Sequence, residues 1–570
     1  MKSKLIYWEA KIRGKKVKII NPNFYIILLI FISIIAIVFL ALNSSMFNNL
    51  GTELTREYLN KMFVFKSSSQ SFDTENLWTL SLIYLWSTIK IVTLGTTIGF
   101  LLALLTSFFG SKKIFNNVFS IVFRIFILFL RALPIIYMIN LFRTGFVGND
   151  SAFLIFAWFT WLWVHRYLID YINSLDFKYF DQARKLNKNI FSLYYREIFL
   201  RLKTKIISLY FYSFESNIRW VSLLSAVGVI GIGTLFYIPL SQPFVIDISE
   251  ATIPLFVYVI FLLIFEAFNF CLINLIFKSR SIILNNKKNL ILKYWWKKIV
   301  IFCLLLTTAF ISIATLFDLE YNYATTHVMI NMIQRLFQID LAKVFASNST
   351  SPIVSLLSVI GQAFSITFFV FIIGLIIGIL SNSKINSKTT SIIWKLLSVF
   401  IRSIPFIVLF YVLNPLWIRP HSTLFIVLIF QGSFTFSRKV SEAIDKIDLI
   451  IYNNLKRNGF SKIKIFWLYI YPLIRKELMY QNALEFESQI RSLIFLGVFG
   501  INHLGQIINS FSERQTYSEL ANYIWPTAAF IILLEIVTYQ IFEKNKVNIF
   551  IRYKEKLIAL YKTKFTKKII

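Results

Sequence analysis

Two short stretches place a carboxylate and a guanidinium four residues apart inside otherwise apolar runs. Phe214-Glu215-Ser216-Asn217-Ile218-Arg219 precedes Gly228, Gly231 and Gly233, and 272 residues later Phe486-Glu487-Ser488-Gln489-Ile490-Arg491 precedes Gly497, Gly500 and Gly505. On a helix, positions i and i+4 share a face, so each Glu can neutralise its Arg. Ionised groups inside a membrane are costly and mark either a buried pairing or a solute path. Two readings follow: a structural salt bridge in each copy, or arginines that present a positive lining to an anionic solute. The closely spaced glycines allow either tight helix packing or a break in backbone that lines a cavity.

Other residues recur at nearly the same offset. Arg131-Ala132-Leu133-Pro134 corresponds to Arg402-Ser403-Ile404-Pro405, and Arg166 to Arg438. Pro134 and Pro405 are expected to kink the helices that carry them. Lys90, Arg124, Lys395, Glu266, Glu485 and Glu535 also fall in apolar segments and receive no role, since most could reach out from helix ends.

The elements that must position these groups are membrane helices. The 570 residues are 57% hydrophobic and only 15% charged, which excludes a soluble multidomain protein. Apolar runs give about twelve candidate spans, at 24–42, 77–107, 118–142, 151–165, 206–237, 252–277, 299–317, 353–381, 391–414, 422–437, 478–501 and 520–542. The 24–42 run reads as a retained first span, not a cleaved signal peptide. With the N-terminus inside, the cytoplasmic segments hold 45 Lys and Arg against 11 acids, and the external loops 8 against 12, so both termini are expected in the cytoplasm. The net charge of +32 is spread over short segments between spans, which argues topology, not nucleic-acid binding.

The expected architecture is all-α: two parallel six-helix repeats at 24–277 and 299–542, a basic arm at 1–23, a basic cytoplasmic linker at 278–298 and a basic tail at 543–570. Cys271 and Cys303 form no disulfide framework, and His165, His327, His421 and His503 lack metal-ligand spacing. No Gly-rich phosphate loop ending in Gly-Lys-Ser/Thr is present, so ATP hydrolysis is not expected in this polypeptide, and no nucleophile or triad stands out.

Two basic loops, 166–205 and 438–477, follow the fourth span of each half and interleave charges with apolar residues. Such loops suit amphipathic helices on the membrane surface, held by anionic lipid or docked on a partner. The first contains Asp181-Gln182-Ala183, Asn187 and Ile198-Phe199-Leu200; the second contains Asn453-Asn454-Leu455, Gly459 and Tyr469-Ile470-Tyr471-Pro472. These resemble the cytoplasmic Glu-Ala-Ala…Gly…Leu-Pro signature of ABC-importer permeases. The Glu…Ile-Arg pairs with their glycine runs, and the Arg-x-aliphatic-Pro motifs, are similar to the phosphonate-type permeases. Ser225 and Ile230 in one run, and Asn502, His503 and Leu504 in the other, depart from the family's pattern.

The resemblance covers both halves and implies two permease copies fused in one chain. It implies ATPase-coupling surfaces at Asp181, Gln182, Ala183, Asn187, Leu200, Asn453, Gly459 and Pro472. It implies a pathway and gate near Arg131, Pro134, Glu215, Arg219, Gly228, Gly233, Arg402, Pro405, Glu487, Arg491, Gly500 and Gly505. No cofactor is expected in this chain; ATP and Mg would sit on two cytoplasmic ABC ATPase subunits, and an extracellular solute-binding lipoprotein would deliver a phosphonate- or phosphate-like anion. A phosphorylated vitamin such as thiamine pyrophosphate is the alternative solute. A secondary transporter of six-plus-six helices and a membrane-embedded transferase are the rivals from other classes.

Overall fold

The computed structural model describes residues 7–12, 15–20, 30–38 and 48–542, apart from 70–71, 73–74, 112–113, 116, 186–188, 227, 273–286, 322–324, 349 and 501. Helices dominate, because apolar runs in lipid must satisfy their backbone N–H and C=O groups internally. The N-terminal half holds α1 (Asn49–Lys61), α2 (Leu77–Phe109), α3 (Asn117–Ala132), α4 (Ile135–Gly145), α5 (Gly148–Asn173), α6 (Lys178–Lys185), α7 (Leu200–Ser225), α8 (Ile232–Ser241) and α9 (Thr252–Cys271), besides shorter turns. The C-terminal half holds α10 (Lys287–Phe317), α11 (Thr326–Arg335), α12 (Pro352–Leu380), α13 (Lys388–Ser403), α14 (Phe406–Leu413), α15 (Pro420–Asp445), α16 (Leu449–Arg457), α17 (Tyr471–Leu496), α18 (His503–Glu513) and α19 (Tyr517–Phe542).

Three expectations are corrected. The chain is not wholly α: within the basic arm, Tyr7–Ile12 (β1) and Lys15–Ile20 (β2) pair antiparallel, with Tyr7 opposite Ile20. Lys16-Val17-Lys18-Ile19 alternates with the two-residue period of a strand. The linker expected at 278–298 lies outside the described residues up to 286, and from Lys287 onward it is already the first turns of α10. The basic tail at 543–570 also lies outside them.

The third correction is the span count. Among the described residues, six helices are long and apolar enough to cross a membrane, or nine if each of three bent helix pairs is one span. Helices α7 and α15 have 26 residues each but are too polar to qualify, and most of 24–42 lies outside the described residues. The expected kinks at 118–142 and 391–414 are breaks: α3 and α4 meet at 84°, and α13 and the helix after Pro405 at 81°. Proline has no N–H and drives the preceding residue out of the helical region, as Ile404 shows with ψ 125°.

Helix α2 lies along α5, and α12 along α15. Each contact uses a Gly-x-x-x-Gly pair, Gly95/Gly99 and Gly374/Gly378. A Cβ on Gly99 would come within 2.4 Å of the Ala157 carbonyl oxygen, and one on Gly378 within 2.6 Å of Val440 Cβ. Close approach of this kind drives helix association where burying apolar surface against lipid gains nothing. The halves also exchange partners: α10 packs on α2, with Ser312 Oγ donating to Thr97 Oγ1 at 3.0 Å, and Ser365 of α12 donates to the carbonyl of Ala36, in the helical stretch at 30–38, at 3.1 Å. One buried apolar core, from Tyr58 to Ile524, runs through both halves.

Candidate functional site

The proline breaks leave carbonyls that the missing helical turn would have satisfied. Arg131 O and Arg402 O, three residues before the two prolines, are such acceptors. Each is taken by an arginine of the opposite half: Arg491 donates to Arg131 O, and Arg219 to Arg402 O. These donors are the arginines of the paired motifs, held by their own glutamates. Arg219 Nη2 lies 2.9 Å from Glu215 Oε1, and Arg491 Nη2 3.0 Å from Glu487 Oε1. The i, i+4 salt bridges therefore form, and they aim the guanidinium across the boundary between halves.

The side chains of Arg131 and Arg402 cross the same boundary in a second way. Arg402 pairs with Glu266 of α9, and Arg131 with Glu535 of α19. Glu266 also reaches Arg219 at 3.2 Å, and Arg166 of α5 reaches Glu487 at 3.3 Å. Asn269 donates to Glu215 at 2.6 Å, and Gln431 satisfies Ile404 O, beside Pro405, at 2.7 Å. Each of Arg131, Arg219, Arg402 and Arg491 thus has a carboxylate partner. Sequence reasoning assigned Glu266 and Glu535 nothing. They stand 269 residues apart, close to the 271 and 272 that separate the motifs, and that near-match was the available signal.

The glycine runs break as one of their two readings expects. Helix α7 ends at Ser225 and α8 starts at Ile232, with Gly228 exposed at φ +84°. Gly233 packs back against Ser222 and Ser225. In the other copy Gly500 has φ +74°, a left-handed conformation that an L side chain enters only at a cost. Gly505 lies so close to Ile494 O that a Cβ would sit 2.0 Å from it. Asn502 closes this turn: its side chain donates to Leu493 O and accepts from Gly505 N–H at 2.7 Å. The two broken segments meet, with the Trp220 and Phe495 rings 5.7 Å apart.

Beyond the breaks, the pieces cross again. Helix α4 packs on α18, and α14 on α8. At the first seam Asn140 donates to Asn509 at 3.1 Å; at the second the Tyr237 and Tyr411 rings lie 6.0 Å apart.

The loop residues lie apart from this centre in the sequence. Asp181, Gln182 and Ala183 are on α6, with Gln182 exposed; the side chains of Asp181 and Ala183, and all of Asn187, lie outside the described residues. Leu200 opens α7 and is exposed. Asn453 is exposed on α16, Gly459 follows that helix at φ +81°, and Pro472 is the exposed second residue of α17. Each loop ends in a π-helical turn, Tyr194–Phe199 and Phe466–Ile470, a form frequent at functional sites. Among the described residues no group of three or more His, Cys, Asp or Glu could hold a metal ion.

Residues 371–544 match the family described as binding-protein-dependent transport system inner membrane component. The ABC transport system permease protein p69 of Mycoplasma genitalium is 30% identical over 535 residues, covering 92% of this chain and 96% of that protein. The chain belongs to the ABC transport permeases. The p69 permease of Mycoplasma pneumoniae is 29% identical over 477 residues, 82% of this chain and 86% of its own. No solved structure matches. The permease is a multi-pass component of the cell membrane with no enzymatic activity of its own, in a system whose family description implies an ATPase and a solute-binding protein. That membership sets aside the secondary transporter and the membrane transferase.

Proposed function

We propose that the permease is two copies of one permease unit in a single chain, crossing the membrane twelve times with both termini in the cytoplasm, and that it imports a small anionic solute. An extracellular solute-binding lipoprotein delivers the solute. Two cytoplasmic ABC ATPases grip 181–200 and 453–472 and draw the halves between inward- and outward-open states. The observation that carries this reading is the crossed contact of Arg219 with Arg402 O and of Arg491 with Arg131 O, the same bond made twice at a fixed sequence offset. A pair of halves latched reciprocally can separate and rejoin as two rigid bodies.

The four motif arginines act as the latch in this reading, since each already has a carboxylate. Phosphonate or phosphate-like solutes follow from the family resemblance. The test is ATP-driven uptake of labelled phosphonate by proteoliposomes that hold the permease, its ATPase and its binding protein. Exposed Gln182 and Asn453 are replaced together by Trp to block docking. ATPase co-purification and uptake are expected to fall at least tenfold; uptake that persists without a bound ATPase would overturn the reading.

A further inference from the structure

The latch arginines are committed to carboxylates, so a solute anion must find its cation elsewhere. Arg143, near the end of α4, is exposed and forms no ion pair among the described residues; the acid whose field reaches it is Glu513 of α18. Its guanidinium lies over the bare backbone of Gly228, where a Cβ would come within 2.7 Å of Arg143 Nη2. It therefore faces the break between α7 and α8, whose Gly228 and Ile230 are both exposed to open space. One turn back on α4, Asn140 meets Asn509 of the other half.

The equivalent positions differ in chemistry. Shifting by the same 271 or 272 residues turns Asn140 into Tyr411, Asn509 into Tyr237, and Arg143 into Asn414. Tyr411 and Tyr237 meet at the second seam as the two asparagines meet at the first. Phe499, in the turn that leads into α18, stacks within 5.7 Å of Phe410 and 6.4 Å of Tyr411, so the two seams adjoin. The latch is kept in both copies, whereas the seams have become cationic and amide-lined on one side and aromatic on the other. A guanidinium takes phosphonate or phosphate oxygens in charge-assisted bonds, and tyrosine faces take a flat π system.

We propose that the transported solute carries an anionic group received by Arg143 beside Asn140 and Asn509, and a planar ring received by Tyr237 and Tyr411. This rests on the anionic-solute reading above. The experiment measures equilibrium binding of phenylphosphonate and of methylphosphonate to the purified permease–ATPase complex without the binding protein, by saturation-transfer NMR. Phenylphosphonate is expected to bind several-fold tighter than methylphosphonate. Arg143→Gln should weaken phenylphosphonate binding about tenfold or more, and Arg143→Lys should restore most of it. Tyr237→Leu with Tyr411→Leu should weaken phenylphosphonate about fivefold and leave methylphosphonate unchanged. Equal affinity of the two probes, or an Arg143→Gln complex that binds like the parent, overturns the proposal. Absence of phenylphosphonate binding to the parent also overturns it, while ATP-driven phosphonate uptake would still support the importer reading.

Discussion

The two latch clusters share a frame and differ in balance. Around Glu215, two acids meet two arginines: Glu266 bridges Arg219 and Arg402, and the remaining oxygen of Glu215 accepts from neutral Asn269. Around Glu487, two acids meet three arginines, because Arg166 joins Arg491 there and Glu535 serves Arg131. Arg438, the counterpart of Arg166, turns instead to Glu442 on its own helix at 3.0 Å. The bonds that cross between halves are preserved in both clusters; the auxiliary partners are free to vary. What a residue does in one copy is therefore a test of what its counterpart does, and inequality between the two is informative.

The largest expected effect exploits the bridging role of Glu266. Glu266→Ala leaves two part-buried arginines short of a partner, and should cost about 3–5 kcal/mol, the range for breaking a buried pair. Glu535→Ala leaves only Arg131 short and should cost visibly less. Thermal unfolding in detergent, read for both variants, checks the order; equal losses would show that the bridge to Arg219 adds nothing.

Next in size is the contrast between Arg166 and Arg438. Arg166→Gln removes a charge-assisted bond to the largely buried Glu487, worth about 1.5–3 kcal/mol before screening. Arg438→Gln removes an exposed pair within one helix, worth about 0–1 kcal/mol. The same unfolding measurement should separate them, and a reversed order would mean that Arg438 reaches Glu215 in another state. The smallest effect sharpens the comparison further. Asn269→Ala should cost about 1 kcal/mol, because Glu215 keeps Arg219; a cost near that of Glu266→Ala would show that the neutral amide matters as much as a charge.

Much of this frame could be read in the sequence, because it rests on local spacing. A Glu and an Arg four apart must share a helix face, and a proline within an apolar run must break the hydrogen-bond ladder. The fixed offset ties the copies together. The use of those features was less legible. That Arg491 would satisfy Arg131 O depends on which helices cross, and no spacing within one copy encodes that. Glu266 and Glu535 looked like stray charges because their partners lie in the other half. The Gly95/Gly99 and Gly374/Gly378 pairs could have been found as repeated motifs, but their meaning needed the partner backbone, Ala157 and Val440. The span count went astray where polar function invades a helix: α7 and α15 carry the charged and hydroxyl groups that lower their hydropathy.

Both seams belong to one polypeptide, and this has a consequence for assembly. Were Asn140/Asn509 and Tyr237/Tyr411 on separate, interchangeable subunits, random pairing would yield some pores with two amide seams and some with two aromatic ones. Tethering fixes the stoichiometry at one of each in every molecule, so the two faces can drift apart in chemistry without producing mismatched siblings.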